Sequence, residues 1–244
     1  MKKFTLVELL ICIVCLVVLG TVAISAVRAA ADGKSESAVC AEQQHKVYAA
    51  ISTYAADNGG FYPYFDDEHS IPGCKTRVTW GYKISKYLPQ DSGNRNYFCP
   101  TQQKLYPADG TAVSARSNMN STVNCVVRPD RNLEFYRSIN YGINFEYIAS
   151  NIGGWAGKDR KAYITMNTAK VVNPAEKVLM ADAWNGRDGR YIIASYSAGS
   201  NKMNPCHNNG ANVLWCDGHV ALVDNPHVTL QNGKLTNKHF RADR

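Results

Sequence analysis

Apolar and polar positions follow three different rhythms along the chain. From Leu9 to Val27, 19 residues pass without a charge or a proline. About 20 apolar residues at 1.5 Å each cross a bilayer core of roughly 30 Å. The run therefore predicts a transmembrane helix within residues 4–31. Beyond it, Val39, Cys40, Val47, Tyr48, Ile51, Tyr54 and Ala55 recur near the 3.6-residue period. That spacing predicts a second helical half, residues 32–57, with one buried stripe. Asp57-Asn58-Gly59-Gly60 ends it, glycine supplying the left-handed conformation of a helix stop.

The last third has strand rhythm. Lys177–Ala181 reads as a buried strand, introduced by the Asn173-Pro174 turn and closed by Asp182. Ala211–Cys216 and His219–Val223 flank Asp217-Gly218, a two-residue hairpin signal. In that register Trp215 faces Val220 and Val213 faces Leu222, while Cys216 pairs with His219 and Leu214 with Ala221. The middle, residues 61–173, is rich in turns, with short candidate strands at Ser138–Phe145 and Ala162–Met166. The expected fold class is α/β in the α+β sense. A long N-terminal helix, half of it transmembrane, packs on a mainly antiparallel sheet within a head spanning residues 58–244.

Composition narrows the function classes. Of 244 residues, 45% are hydrophobic and 19% charged, so core material is ample and a disordered or collagen-like chain is excluded. A mean hydropathy of −0.30 with one long apolar run excludes a polytopic membrane protein. Beyond Ala31, 24 Lys and Arg stand against 19 acids, spread without a basic stripe, and no nucleic-acid partner is expected. No P-loop, GxSxG, HExxH, EF-hand or GxGxxG pattern occurs, and no catalytic residue or cofactor is expected.

Cys12 and Cys15 lie inside the apolar run. Six cysteines remain beyond it: Cys40, Cys74, Cys99, Cys125, Cys206 and Cys216. An even count suits disulfides in an oxidising compartment, with 15 possible connectivities. None shows the paired spacing of a zinc site, so no metal is expected. His207 precedes the 211–216 strand and Asp217 follows it. An extended strand of that length puts roughly 17 Å between them. Asp217 then reads as a turn former and His207 as a loop anchor; Asp182 and Asp224 are loose candidates for calcium. A tethered hydrolase would have to draw on His207, His219 or Asp182.

One residue breaks the apolar segment. Glu8 puts a carboxylate at the membrane end of the helix, where an unpaired charge costs a few kcal/mol or more. A cut between Lys3 and Phe4 would create a new amine at Phe4. Glu8 of one subunit could then neutralise the Phe4 amine of its neighbour, fixing the register between subunits.

Met1-Lys2-Lys3 followed by Phe4-Thr5-Leu6-Val7-Glu8-Leu9-Leu10 and the apolar run resembles the leader junction of type IV prepilins and type II secretion pseudopilins. Nine residues separate His207 from Asp217-Gly218, which resembles the H-x9-DG processing-associated motif of a large prepilin-like family. Tyr97-Phe98-Cys99-Pro100, Asn140-Tyr141-Gly142, Asn173-Pro174 through Asp182, and Gly210-Ala211-Asn212-Val213 match that family's landmarks in order. The resemblance implies a leader of residues 1–3, cleavage before Phe4 by a prepilin peptidase, methylation of Phe4, and Glu8 as the assembly glutamate. It implies other pilin-like subunits as partners. The N-terminus would be cytoplasmic, with a single pass through a bacterial inner membrane and a periplasmic head. Lys3 stands where the family usually has glycine, and Gly20 where it has a helix-bending proline. The alternative is an unprocessed, membrane-anchored periplasmic binding module.

Overall fold

The computed structural model describes residues 36–67, 78–89, 96–105, 139–150, 165–184, 189–194, 202–226, 235 and 237–241. The predicted transmembrane segment, with Lys3, Phe4 and Glu8, lies outside them. No helix among the described residues is long and apolar enough to cross a membrane.

Residues 36–57 form helix α1. Cys40, Val47, Ile51 and Ala55 are buried at the predicted spacing, and Tyr48 and Tyr54 pack partly buried beside them. Val39 departs from the expected stripe and is 44% exposed. Its place is taken by Gln44, one turn beyond Cys40 and fully buried despite its polarity. The helix stops where the glycines allow it. Gly59 and Gly60 have φ of 65° and 85°, and the Gly60 amide donates to the Ala55 carbonyl at 2.7 Å.

A short ladder of β1 (Asp66–Asp67) and β2 (Val78–Thr79) leads into helix α2 (Trp80–Ile84). Helix α3 (Pro100–Leu105) begins on a proline, which suits a first helical position because its missing N–H would be unpaired there anyway. Five strands then form the main sheet with one short addition: β3 (Tyr141–Asn144), β4 (Val178–Trp184), β5 (Ile192–Ile193), β6 (Lys202–Met203), β7 (Gly210–Trp215) and β8 (Val220–Asp224). The order is β5-β3-β4-β7-β8, with β6 pairing the end of β4. All pairs are antiparallel except β3 with β5.

Both sheet faces are covered, giving the layered arrangement that lets a sheet bury its apolar surface. One face carries Met180, Leu214 and Cys216 against the α1 stripe and the ring of Trp80. The other packs Val178, Ala181, Ala183, Val213 and Trp215 against Leu235 and Phe240, the latter from helix α4 (Asn237–Phe240). Gly142 permits a close fit within the sheet. A Cβ there would lie 2.7 Å from Ala183 Cβ and 2.7 Å from the Ile192 carbonyl carbon.

Two details correct the expected strands. Strand β4 runs through Asp182 instead of closing at it, because buried polar partners satisfy that carboxylate within the sheet. The hairpin register is also one residue off. Leu214 pairs with Val220 and Val213 with Ala221, and the Trp215 amide donates to the His219 carbonyl at 2.9 Å. The loop is therefore three residues, Cys216-Asp217-Gly218. The Gly218 amide bonds the Trp215 carbonyl at 3.0 Å, and Gly218 has φ of 98°. A turn closed by a left-handed glycine is the usual three-residue hairpin. The shift turns every β8 side chain to the opposite face, so Val220 joins the α1 side.

Candidate functional site

Four separate segments bring sulfur, nitrogen and oxygen atoms to one buried point. Cys40 comes from the second turn of α1 and Cys99 from the residue before α3. Asp182 comes from the middle of β4, and His207 from the turn that enters β7. All four are buried, and their ligand-type atoms lie within 4.8 Å of one another.

Each position has a local cause. A bulge in the β4–β7 ladder lets Val178 pair with Trp215 but Met180 with Leu214. The extra residue inverts the face alternation beyond it, as bulges do, and aims Asp182 at α1 instead of the opposite core. His207 opens a tight turn. His207 and Gly210 exchange both backbone hydrogen bonds at 2.9 Å, while Asn208 and Asn209 have φ of 48° and 69°. Asparagine is among the few residues that tolerate two successive left-handed positions.

The Cys40 thiol donates to Asp182 Oδ1 at 3.1 Å, and Gln44 Nε2 reaches the same oxygen at 3.5 Å. The Asn212 amide donates to Asp182 Oδ2 at 2.8 Å. His207 Nε2 lies 3.3 Å from Asp182 Oδ2 and 3.4 Å from Cys99 Sγ. On the other side of the ring, Nδ1 lies 3.2 Å from Thr101 Oγ1, whose hydroxyl donates to Glu36 Oε2 at 2.9 Å. The Tyr141 hydroxyl sits 3.4 Å from Cys40 Sγ and 2.6 Å from Gln43 Oε1.

Electrostatics follow from the burial. Loss of solvent disfavours a charged His207, yet hydrogen bonds to Asp182, Cys40 and Cys99 and the Asp182 charge outweigh it. The imidazole is pushed up to about 12. Burial raises the Cys40 thiol well above its usual range, and hydrogen bonding to Cys99 and the Asp182 charge add to the rise. Burial likewise pushes the Cys99 thiol up to about 12. Without a metal, then, the cluster holds two thiols and a buried imidazolium–carboxylate pair. Buried protonated thiols are poor nucleophiles.

The residues singled out from sequence fall in different places. Cys40, Cys99 and His207 meet, with Asp182 as the partner that joins them. The cysteine spacing along the sequence gave no sign of this grouping. The local-spacing rule detects ligands paired along the sequence, whereas these four converge only through the fold. Cys206 lies beside the cluster, its sulfur 3.7 Å from that of Cys99. All four described cysteines are free, and Cys216 is buried under α1, where the Tyr48 hydroxyl reaches its carbonyl at 3.4 Å. Cys74 and Cys125 lie outside the described residues. Asp217 and Gly218 form the hairpin turn. There Asp217 Oδ1 accepts from the His219 amide at 3.1 Å and lies 2.6 Å from His219 Nδ1. The His219 ring stacks on Trp215 at 5.5 Å.

Sequence reasoning did not single out Gln44 or Thr101, and met Asn212 only as part of the Gly210–Val213 landmark. Gln44 carried a signal, a lone amide one turn from Cys40 on an apolar stripe. No protein family, curated protein or solved structure matches the chain.

Proposed function

We propose that this chain is a pilin-type filament subunit, a pseudopilin or minor pilin of a type II secretion or type IV pilus-like machine. The observation that carries the reading is α1 laid along an antiparallel sheet and stopped at Gly59-Gly60. In the sequence, that helix lies eight residues beyond the charge-free apolar run Leu9–Val27, which Glu8 immediately precedes. A helix with this order of parts can hold a head by one half and enter a bundle of like helices by the other.

In this reading a prepilin peptidase cuts between Lys3 and Phe4 and methylates the new amine. Glu8 pairs with Phe4 of a neighbouring subunit, and the head stays outside the inner membrane. The chain works by polymerising and not by catalysis. The described His–Cys–Asp group supports that side of the proposal, since its sulfurs are buried away from any substrate in solution. Lys3 at the cut site favours a second reading, an unprocessed membrane-anchored binding module.

The intact mass and N-terminal peptide of the protein from native membranes decide between them. A chain beginning at methylated Phe4 supports the filament subunit. A chain beginning at Met1 overturns it and leaves the anchored module. A chain beginning after Ala31 overturns both, because the apolar run would then be a removed signal.

A further inference from the structure

We infer that Cys40, Cys99, Asp182 and His207 form a tetrahedral structural site for a thiophilic divalent cation, with Zn²⁺ as the fitting ion. The inference stands on side-chain geometry in the head and is independent of filament assembly.

The distances fit the ion. Zinc bonds of about 2.3 Å to sulfur and 2.0–2.2 Å to nitrogen and oxygen, set tetrahedrally, separate neighbouring donors by about 3.3–3.8 Å. His207 Nε2 lies 3.3 Å from Asp182 Oδ2 and 3.4 Å from Cys99 Sγ, and Cys40 Sγ lies 3.1 Å from the other carboxylate oxygen, Oδ1, of which a tetrahedral centre uses one. No pair of donors exceeds 4.8 Å. Small adjustments of χ angles complete a tetrahedron from this start.

The surrounding groups orient the donors. Thr101 uses its hydroxyl proton on Glu36, so its oxygen accepts from His207 Nδ1. The proton on Nδ1 leaves Nε2 to present its lone pair to the other three donors. A ligating histidine is typically held this way, by its second ring nitrogen. Asp182 is oriented by the Asn212 amide and Gln44, and Cys40 faces the Tyr141 hydroxyl.

The donor set also selects the ion. Calcium and magnesium require oxygen cages, and two sulfurs rule that out, whereas Cys, His and carboxylate together suit zinc. Four protein donors with no open position make a structural site, not a catalytic one. On binding, two thiols lose their protons, and so does Nε2 where the ring was charged. The bound centre then carries two thiolates, one carboxylate and a neutral imidazole around the cation, a net charge of −1. The amides on Asp182 offset it. The site would staple α1, α3, β4 and the β6–β7 connection to one another.

Cys99 cannot serve both this centre and a disulfide to Cys206, whose sulfur is 3.7 Å away. The test therefore uses the untagged full-length chain in detergent, produced with zinc in the medium and exchanged into metal-free buffer. Elemental analysis is expected to find one zinc per chain. Co²⁺ added to the metal-free chain should give the visible bands of a tetrahedral ion and a thiolate charge-transfer band. Cys99→Ser and Asp182→Asn should lower zinc affinity more than tenfold, while Cys206→Ser and Cys216→Ser keep one zinc. Thr101→Val leaves all four donors in place and should weaken binding about tenfold. It therefore reports on the site even if a donor variant fails to fold. A wild-type chain without zinc and without the cobalt spectrum overturns the inference. So does a Cys99–Cys206 bond in the protein from native membranes, or a Cys206→Ser variant that loses zinc as Cys99→Ser does.

Discussion

Two histidines twelve residues apart in sequence, His207 and His219, each meet an aspartate, and the two pairs behave as opposites. His219 and Asp217 are two residues apart, 2.6 Å from each other, with side chains 47% and 34% exposed. His207 and Asp182 are 25 residues apart and 3.3 Å from each other, with side chains 1% and 0% exposed. The shorter contact is the weaker one. Water screens the exposed pair and offers both groups alternative partners, so its net worth is about 0–1 kcal/mol. In the buried pair neither group has solvent to return to. Removing one partner leaves a charge uncompensated, and the penalty is about 3–5 kcal/mol.

The comparison breaks first at Asp182. In the metal-free chain, Asp182→Ala is expected to cost about 3–5 kcal/mol, read as a lowered urea midpoint, because His207 then stays buried without its counter-ion. A loss under 1 kcal/mol would make the two pairs equivalent.

The pH dependence of the same chain, kept metal-free by a chelator, sharpens the contrast. Folded His207 keeps its proton up to about 12, whereas the unfolded ring releases it near the ordinary value of 6.5. The stabilisation is therefore complete below pH 6.5 and is lost as pH rises from there toward about 12. Cys99 adds to the loss above its ordinary value of 9.0, since the unfolded thiol ionises there and the folded one does not. Urea midpoints at pH 6, 8 and 10 should fall in that order, and less steeply in Asp182→Ala.

At the exposed pair, the weight lies in the backbone of the turn. A Cβ at Gly218 would sit 2.4 Å from the Tyr48 ring, at a φ of 98°. Gly218→Val is expected to cost about 1–3 kcal/mol from strain and overpacking, seen as a lower thermal midpoint. The smallest effect belongs to His219→Ala, expected within about 1 kcal/mol by the same measurement, since only the screened contact and the stack on Trp215 are lost.

Local chemistry was legible from sequence, and convergence was not. The α1 stripe at Cys40, Val47, Ile51 and Ala55 could be read because a helix imposes one period on the residues it buries. The Asp217-Gly218 turn could be read because glycine at a left-handed position is a local demand. Its register could not. A two-residue and a three-residue loop differ only in whether Cys216 belongs to the strand or to the turn. The cluster lay further beyond reach, since the β4 bulge that aims Asp182 at Cys40 leaves no mark in Val178–Asp182. Periodicity assigns faces by counting, and a bulge changes the count.

The strand order β5-β3-β4-β7-β8 has a consequence for how the head is made. Strand β4 gains its β7 neighbour only when residues 210–215 leave the ribosome, long after α1 has emerged. Helix α1 must wait, because Gln44 bonds the Asn212 carbonyl and Tyr48 packs on Gly218. The first described element synthesised is thus among the last to find its platform. A chain interrupted before β7 carries its apolar helix stripe uncovered, and quality-control proteases and chaperones meet a nascent head with that stripe in view.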